Sequence, residues 1–296
     1  MAKLRSVQIV AVAVAATSVA CSVDVRGNEV STREEKRFTV SATEPVNLTI
    51  KTFDGEIAVR SWDKNEVLVE IERHAPDDTA AAALVVNQTQ DGNKIVLEAP
   101  SAETRHVIRF GAGESVNFSI TLPRQVVLEA STGDGSINAD DLQGTIDLNS
   151  GDGRIVASRL DGQVKVHTGD GTIRIDQAAG KVDADSGDGA VEVTGRLDEL
   201  AVRTGDGPVR VEATNGSAMK NEWRITTGDG RIALRLPNDF NASIDASTGD
   251  GRVRVDGIDT PRSADESERR RVVGQLGSGG ATIHVRSGDG SIDVTR

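Results

Sequence analysis

A Gly-Asp-Gly tripeptide recurs along this chain at a fixed interval, and no other feature restricts the fold as strongly. Five copies follow one another at 18-residue spacing, and three more follow at wider spacing. The central aspartates of these copies are Asp134, Asp152, Asp170, Asp188, Asp206, Asp229, Asp250 and Asp289. Self-similarity at a fixed period is typical of a stacked repeat architecture, in which each unit buries its apolar face against its neighbours.

Each repeat unit predicts two short strands and two turns. Apolar residues alternate with polar ones in two runs, as in Ile155/Ala157 and Val164/Val166. Alternation with a period of two indicates a strand with one buried face. Gly-Asp-Gly forms one turn, and a Leu-x-Gly segment such as Leu142–Gly144 forms the other. We expect glycine in both turns because tight turns need a positive φ angle.

Outward-facing charges decide between a hairpin meander and a solenoid of parallel coils. At equivalent positions the sign of the charge alternates from one unit to the next. The first strand shows this at Arg174, Glu192 and Arg210, and the second strand at Asp147, Lys165 and Asp183. These charges neutralise one another only if equivalent residues stack about 4.8 Å apart, as in parallel coils. The sequence therefore predicts an all-β fold, a regular parallel β-solenoid of 18-residue, two-strand coils over residues 131–296.

Wider spacing between the later repeats locates insertions in the solenoid. Short ones are expected near Gly216–Asn221 and Pro237–Phe240, and about 21 extra residues are expected within Gly257–Ser278. This long loop, near 257–278, is highly charged and lacks aromatic residues, so we predict that it is disordered. Its arginine triplet is a candidate partner-binding site or simply a solvated run of charge, and consists of Arg269, Arg270 and Arg271.

Residues 37–130 predict an irregular beginning of the same β structure. Thr52-Phe53-Asp54-Gly55, followed by Ile57 and Val59, matches the first half of a repeat unit. Further strand-like runs occupy Val67–Ile71, Ile95–Leu97 and Phe118–Leu122. We expect this region to cap the open edge of the solenoid, which would otherwise invite association.

The first 36 residues predict an export signal and a tether. Residues 1–20 contain Lys3, Arg5 and a short apolar run, which is typical of a signal peptide. Small residues then precede Cys21, the only cysteine, and this arrangement resembles the lipobox of a bacterial lipoprotein. Lipid attachment at Cys21 would explain a lone cysteine in an oxidising compartment. The alternative is ordinary cleavage that releases a protein with a free thiol. Residues 21–36 are polar and predict a flexible tether.

Charge and composition exclude some partners. The formal net charge is −12, whereas nucleic-acid binding requires clustered Lys and Arg. An anionic membrane surface would also repel the chain, so we expect membrane contact only through an N-terminal lipid anchor. Two Trp, five Phe and no Tyr leave Val, Ile, Leu and Ala to build the core, which suits thin β layers.

Three sequence features together resemble one known family. They are "TIKTFDGEIAVRSWDKNEVLVEIER" at 49–73, "FSITLPRQVVLEASTGDGSI" at 118–137, and the repeated Thr/Ser-Gly-Asp-Gly units. This combination resembles the bacterial putative-adhesin family of β-strand-repeat proteins, over about residues 37–296. The resemblance implies a β-solenoid fold. It implies little about function, and no catalytic residues come with it.

The acidic turns raise the question of a metal site. Calcium-binding β-rolls carry ligand-bearing turns twice per 18-residue coil, so that two turns share each ion. Here each coil supplies one aspartate, and the opposite turn offers mainly Leu-x-Gly. We therefore expect no cofactor and interpret the eight aspartates as turn residues. Calcium binding by these aspartates is the alternative.

Enzyme chemistry has little support in the sequence. It contains no Gly-x-Ser-x-Gly, His-Glu-x-x-His or phosphate-loop motif. His167 and His284 both follow an inward apolar position and are expected at the surface. Trp223 and Phe240 flank small insertions, where they could seed a sugar-binding pocket or fill the core at a coil end. We expect them to fill the core.

These observations favour a non-enzymatic, exported, envelope-tethered recognition or scaffold protein. Its expected partner is a protein or glycan of the cell envelope or a surface, which the sequence does not identify. A carbohydrate-active β-helix enzyme and a calcium-binding, β-roll-like protein are the two alternatives.

Overall fold

The computed structural model of this chain describes residues 21–26, 29–100, 113–258 and 270–296, with side chains described from Val30 onwards. The predicted signal peptide, residues 1–20, therefore lies outside the described residues. The regular structure of the described part consists of 23 strands and one short helix, α1 (Asp78–Ala83). This composition confirms the predicted all-β class.

The strands follow one another along the chain in three groups. The N-terminal group comprises β1 (Cys21–Arg26), β2 (Glu29–Thr39), β3 (Val46–Thr52), β4 (Ile57–Trp62), β5 (Glu66–Ala75), β6 (Asn87–Asp91), β7 (Lys94–Ala99) and β8 (Ser115–Pro123). The middle group comprises β9 (Gln125–Thr132), β10 (Ile137–Asp140), β11 (Gln143–Ser150), β12 (Ile155–Ser158), β13 (Asp161–Thr168), β14 (Ile173–Ser186), β15 (Val191–Thr204) and β16 (Val209–Ala213). The C-terminal group comprises β17 (Trp223–Thr227), β18 (Ile232–Arg235), β19 (Ala242–Thr248), β20 (Val253–Val255), β21 (Arg271–Leu276), β22 (Thr282–Ser287) and β23 (Ile292–Thr295).

Parallel pairing between equivalent repeat positions confirms the solenoid. Ile137 pairs with Ile155, Ile155 with Ile173, and Ile173 with Val191, each one repeat further along the chain. The second strands pair in the same way, as Val164 does with Val182. Each coil therefore consists of one strand, a Gly-Asp-Gly turn, a second strand and a corner that leads into the next coil.

The interior of the stack is filled by the alternating apolar residues. Ile155, Ala157 and Val164 are fully buried, whereas the side chains that alternate with them along each strand point to solvent. Burying each such Val or Ile side chain contributes roughly 1.5–3 kcal/mol. Because every coil repeats the same inward set, the core runs through the stack as a column of aliphatic side chains.

The stacking order at the C-terminal end differs from the predicted sequential advance. β22 pairs with β17 on one side and with β19 on the other, and β23 likewise lies between β18 and β20. The last coil of the chain therefore occupies the place between the two coils that precede it. This arrangement gives the last coil a parallel partner on both sides, and β21 pairs antiparallel with β19.

The same insertion occurs at the N-terminal end. β3 lies between β7 and β9, and β4 lies between β8 and β10, so the first coil is also second in the stack. The predicted strand runs of this region are confirmed in β5, β7 and β8. β5 pairs antiparallel with β8, and β6 pairs antiparallel with β7.

The prediction of a flexible tether at residues 21–36 is wrong in this structure. β2 pairs antiparallel with β5 from Val30 to Thr39, and β1 pairs with β2. β2 forms a strand without apolar alternation because ion pairs join it to β5. Arg73 Nη2 lies 2.7 Å from Glu34 Oε2, and Arg37 Nη1 lies 3.1 Å from Glu66 Oε1.

The prediction of disorder for the long loop also fails for part of its length. Residues 271–276 form β21, whose pairing with β19 runs from Leu276 opposite Ala242 to Arg271 opposite Ser247. Val272 and Leu276 are buried, so the strand contributes to the core at this end of the stack. Residues 259–269 lie outside the described residues.

Candidate functional site

The glycines of the Gly-Asp-Gly turns are required by close approach between coils, which corrects the expectation of a positive φ angle. Gly151 and Gly153 do not have positive φ angles. A Cβ atom on Gly151 would lie 2.5 Å from the carbonyl oxygen of Gly133 in the preceding coil. In the opposite turn the expectation is confirmed, since φ is +136° at Gly144 and +123° at Gly162.

A buried hydroxyl precedes each Gly-Asp-Gly turn and ties it to the neighbouring coil. Ser150 Oγ donates to the carbonyl of Gly135 at 2.8 Å and accepts from the amide of Gly153 at 3.0 Å. The residues in this position are Thr132, Ser150, Thr168, Ser186, Thr204, Thr227, Thr248 and Ser287, and all are buried. The sequence analysis assigned these residues no role, although the constant presence of Thr or Ser before the turn was the available signal.

The eight aspartates predicted from the repeat form one exposed line along the stack, which we call the acidic ridge. In spatial order they are Asp134, Asp152, Asp170, Asp188, Asp206, Asp229, Asp289 and Asp250. Neighbouring members belong to coils about 4.8 Å apart. Among the described residues there is no group of three or more His, Cys, Asp or Glu placed to hold a metal ion. Whether calcium binds to the ridge stays an open prediction.

Charge columns on the outward faces confirm the stacking inferred from the sequence. Arg174 Nη1 lies 2.9 Å from Glu192 Oε2. Lys165 Nζ lies 3.5 Å from Asp147 Oδ2. Each pair joins two successive coils, so the ion pairs run along the stack axis.

The structure describes two residues of the arginine triplet that was predicted as a candidate partner-binding site. Arg269 lies outside the described residues. Arg270 Nη2 is 3.2 Å from Asp250 Oδ1, and Arg271 Nε is 3.3 Å from Asp245 Oδ1. Partner binding by this triplet stays a prediction, and the two described members are held by carboxylates of the last spatial coil.

A cleft of about 590 Å³ lies on the outward face at the C-terminal end of the stack. We call it the arginine cleft. It is lined by Arg231, Asp250, Gly251, Arg252, Arg254, Arg270, Ser291 and Asp293. The sequence analysis missed this site, because its residues become neighbours only through the insertion of the last coil.

The shape of the arginine cleft follows from side-chain length. Ser291 and Asp293 belong to the inserted coil, and both are short. Arg231 lies on the coil to one side, and Arg252 and Arg254 lie on the coil to the other. Long side chains thus flank Ser291 on both sides, and Arg254 flanks Asp293 on one side, which leaves a trough about two coil spacings, or about 9.6 Å, wide.

The arginines of the cleft differ in their contacts. Asp293 Oδ2 accepts hydrogen bonds from Nε and Nη2 of Arg231 at 3.1 and 2.6 Å. Asp250 accepts from Arg270 at 3.2 Å. Arg252 and Arg254 are exposed, and neither makes an ion pair or side-chain hydrogen bond with any part of the chain that the structure describes. The cleft therefore offers two guanidinium groups whose donors are unused by described residues.

His167 and His284 lie on different coils, in β13 and β22 respectively. His167 is exposed, as predicted. His284 is half-buried, with Nε2 3.7 Å from Glu222 Oε2 and Nδ1 3.8 Å from Asp245 Oδ2. Its position within the row of outward charges explains its carboxylate neighbours.

The aromatic residues near the insertions fill the core, which confirms the prediction. Trp223 is fully buried and Phe240 nearly so, and their ring centroids lie 5.3 Å apart. Trp223 Nε1 donates to the carbonyl of Asp198 at 3.3 Å. Neither ring is available to stack on a sugar.

Comparison with known proteins finds one matching protein family and several matching solved structures. The family model described as Toastrack DUF4097 matches residues 46–295. No curated protein matches the chain. Among solved structures, a putative cell adhesion protein from Clostridium sporogenes ATCC 15579 is 13% identical, with a TM-score of 0.31, and the match covers 89% of this chain and 99% of that one. A putative adhesin from Bacteroides fragilis NCTC 9343 is 14% identical, with a TM-score of 0.37, over 89% of this chain and 96% of that one.

Proposed function

This chain belongs to the Toastrack DUF4097 family, and we propose that it is a non-enzymatic, exported protein, tethered to the cell envelope, that serves in recognition or as a scaffold. The observation that carries the proposal is the uninterrupted parallel stack. Its buried aliphatic column holds outward side chains in fixed rows about 4.8 Å apart. Such a surface is suited to contact with an extended partner along its length.

The N-terminal sequence supports export and lipid attachment. Residues 1–20 have the features of a signal peptide, and Cys21 is the only cysteine in the chain. β1 begins at Cys21 and pairs with β2, so a lipid on this residue would sit directly at the capped end of the stack. Among the described residues no helix has the length and apolar character needed to cross a membrane.

The tether is tested by fractionation of cells that express the full chain or its Cys21→Ala variant. We expect the wild type with the membranes and the variant in the soluble exported fraction. Intact-mass measurement of the wild type should show a mass increase that corresponds to a lipid. Identical fractionation of the two proteins, with no added mass, would refute the tether.

The carbohydrate-active enzyme is the rival function, and it makes a different prediction. It needs carboxylates that converge beside an aromatic platform for the sugar ring. Trp223 and Phe240 are instead buried against each other. Incubation of the purified protein with envelope glycans should therefore release no oligosaccharides. Depolymerised glycan would favour the rival.

Recognition is tested by crosslinking in intact envelopes. We compare the wild type with a variant in which residues 260–268 are deleted. This deletion leaves β21 in place, whereas a deletion that extended to Gln275 would remove the strand that pairs with β19. A specific crosslinked partner that survives stringent washing is expected for the wild type. A protein that crosslinks to no envelope component, at any face probed, would contradict a recognition role.

A further inference from the structure

The arginine cleft concentrates positive charge on an acidic protein. The whole chain carries a formal net charge of −12. The cleft nevertheless gathers four arginines, Arg231, Arg252, Arg254 and Arg270, against only two carboxylates. A local reversal of charge within a depression attracts an anion and guides its approach.

Arg252 and Arg254 are close enough to bind the same anionic group. Arg254 lies in β20 and Arg252 immediately precedes that strand, and both side chains are exposed on the same outward face, so their Cα atoms lie about 6.6 Å apart. Neither is paired with any described residue, while Arg231 and Arg270 are fixed by Asp293 and Asp250. Two adjacent guanidinium groups repel each other until an anion lies between them.

We infer that the arginine cleft binds a phosphate group carried by a soluble or polymeric ligand. A guanidinium presents a planar fork of donors that matches the oxygens of a phosphate in a bidentate manner. A phosphate monoester carries close to two negative charges, which matches the two unpaired arginines. The hydroxyl of Ser291 on the floor of the trough supplies a further donor.

The surroundings of the cleft favour a phosphate ligand over a neutral sugar and over a phospholipid membrane. The lining contains no aromatic ring, so a neutral sugar would lack a stacking surface. The acidic ridge borders the cleft at Asp250 and would repel a phospholipid membrane, which presents an extended negative surface. A single phosphate on a narrow ligand reaches the arginines without such contact.

This inference rests on the proposed recognition function, for which it names the ligand chemistry, yet its test is independent of tethering. Binding is measured on the purified full chain in solution, so loss of phosphate binding and loss of membrane fractionation are separate results. A protein that fails to fractionate with membranes can still bind phosphate through Arg252 and Arg254.

Isothermal titration calorimetry with inorganic phosphate and with tripolyphosphate tests the site. We expect saturable binding that weakens as salt is raised. Replacement of Arg252 or Arg254 by glutamine should weaken it by about tenfold each, because each removes charge-assisted hydrogen bonds. Arg254→Lys should give an intermediate loss, since lysine keeps the charge but not the bidentate geometry. Both residues are exposed, so unchanged circular dichroism is expected for all variants.

Arg154→Gln and Arg210→Gln are the matched controls. Arg154 follows a Gly-Asp-Gly turn as Arg252 does, and Arg210 has the strand position of Arg254, but both lie outside the cleft. Their phosphate affinity should equal that of the wild type. The inference is overturned if no phosphate binding is detected, or if the control variants lose as much affinity as the cleft variants.

Two further ligands distinguish the source of the anion. A polyuronate of matched charge should bind at least several-fold more weakly than tripolyphosphate, and anionic phospholipid vesicles should not bind through the cleft. Equal affinity for the polyuronate would overturn the preference for phosphate. Vesicle binding that is lost in Arg252→Gln would show that the ligand is a membrane surface, contrary to the inference.

Discussion

We expect alanine at Gly153 to destabilise the protein strongly, because its methyl group would lie between two coils. Gly153 is buried, and its amide donates to Ser150 Oγ at 3.0 Å. A Cβ atom at this position would lie 2.5 Å from the carbonyl carbon of Gly135 and 2.6 Å from Ser150 Oγ, both far inside normal contact distance. One of these neighbours is backbone of the adjacent coil, so relief requires the two coils to separate.

The loss of stability in Gly153→Ala can be estimated from the separation of the two coils that the methyl group requires. Overpacking a well-packed interior costs about 1–3 kcal/mol, and a clash with backbone belongs at the upper end of that range. Separation would also lengthen the hydrogen bond from Ser150 Oγ to the carbonyl of Gly135, which is 2.8 Å, and leave a part-buried acceptor poorly satisfied. We therefore expect Gly153→Ala to lower the free energy of unfolding by about 3 kcal/mol.

Chemical denaturation of Gly153→Ala and Asp152→Ala provides the measurement and its control. Asp152 is the exposed neighbour in the same turn, and its replacement by alanine removes only a carboxylate. Surface changes of this kind stay within about 0.5 kcal/mol. In thermal melts, 3 kcal/mol corresponds to roughly 6–12 °C for a domain of this size. Equal stability of the two variants would refute close approach as the reason for the glycine.

Three other predictions concern charge. Glu192→Lys should destabilise the stack by about 1 kcal/mol, because it places three cations in a row with Arg174 and Arg210, and Glu192→Gln should cost less; equal denaturation midpoints would contradict the stacking. Calorimetry with calcium on the full chain should show at most weak, salt-sensitive binding, whereas micromolar binding that raises the melting temperature would establish a calcium site. Burial would raise the pKa of Glu34, but hydrogen bonds and charges from Arg73 and Lys36 lower it below its ordinary value. Glu34 therefore contributes stability that is present above its unfolded pKa of about 4.3 and is lost as pH falls through the lower folded value, so the advantage of the wild type over Glu34→Gln should shrink at acid pH. An advantage independent of pH would show that charge is not its cause.

The repeat made the regular coils predictable down to the register. A fixed period states which residues are equivalent, and parallel stacking then places equivalents side by side. Ile155 and Ile173 pair in this way, and the predicted contact between Arg174 and Glu192 is an ion pair of 2.9 Å. The inward alternation was equally informative, since Val164 and its equivalents are buried.

Coil order at the two ends was not predictable, because every coil presents nearly the same edges to its neighbours. The Gly-Asp-Gly turns at Asp229, Asp250 and Asp289 are alike in sequence, so any of them can stack on any other. In the observed order β22 pairs with one edge of β19 and β21 covers the other. The arginine cleft shares this origin, since Ser291 separates Arg231 from Arg252 only in the observed order.

The N-terminal strands show a second limit of sequence patterns. Apolar alternation detects strands that cover a core, whereas β1 and β2 lie at the margin of the sheet, and β2 is polar on much of its length. Cross-strand ion pairs take the place of apolar contacts there, as between Arg73 and Glu34. The acidic and basic residues that suggested a solvated tether are the ones that join β2 to β5.

The antiparallel strands at both ends have a common physical role. A parallel stack of like coils can grow without limit, because the exposed edge of its last coil is a template for another coil. At the N-terminal end β5 pairs antiparallel with β8 and β6 with β7, and at the C-terminal end β21 pairs antiparallel with β19. These strands break the parallel 18-residue register, so a second molecule cannot continue it on the strand that each one covers. This capping is consistent with the insertion of the first and last coils. At the N-terminal end the chain forms the inner coil first, then the outer coil and its antiparallel strands, and then enters the regular repeats. At the C-terminal end it forms the outer coil and β21 first and the inner coil last.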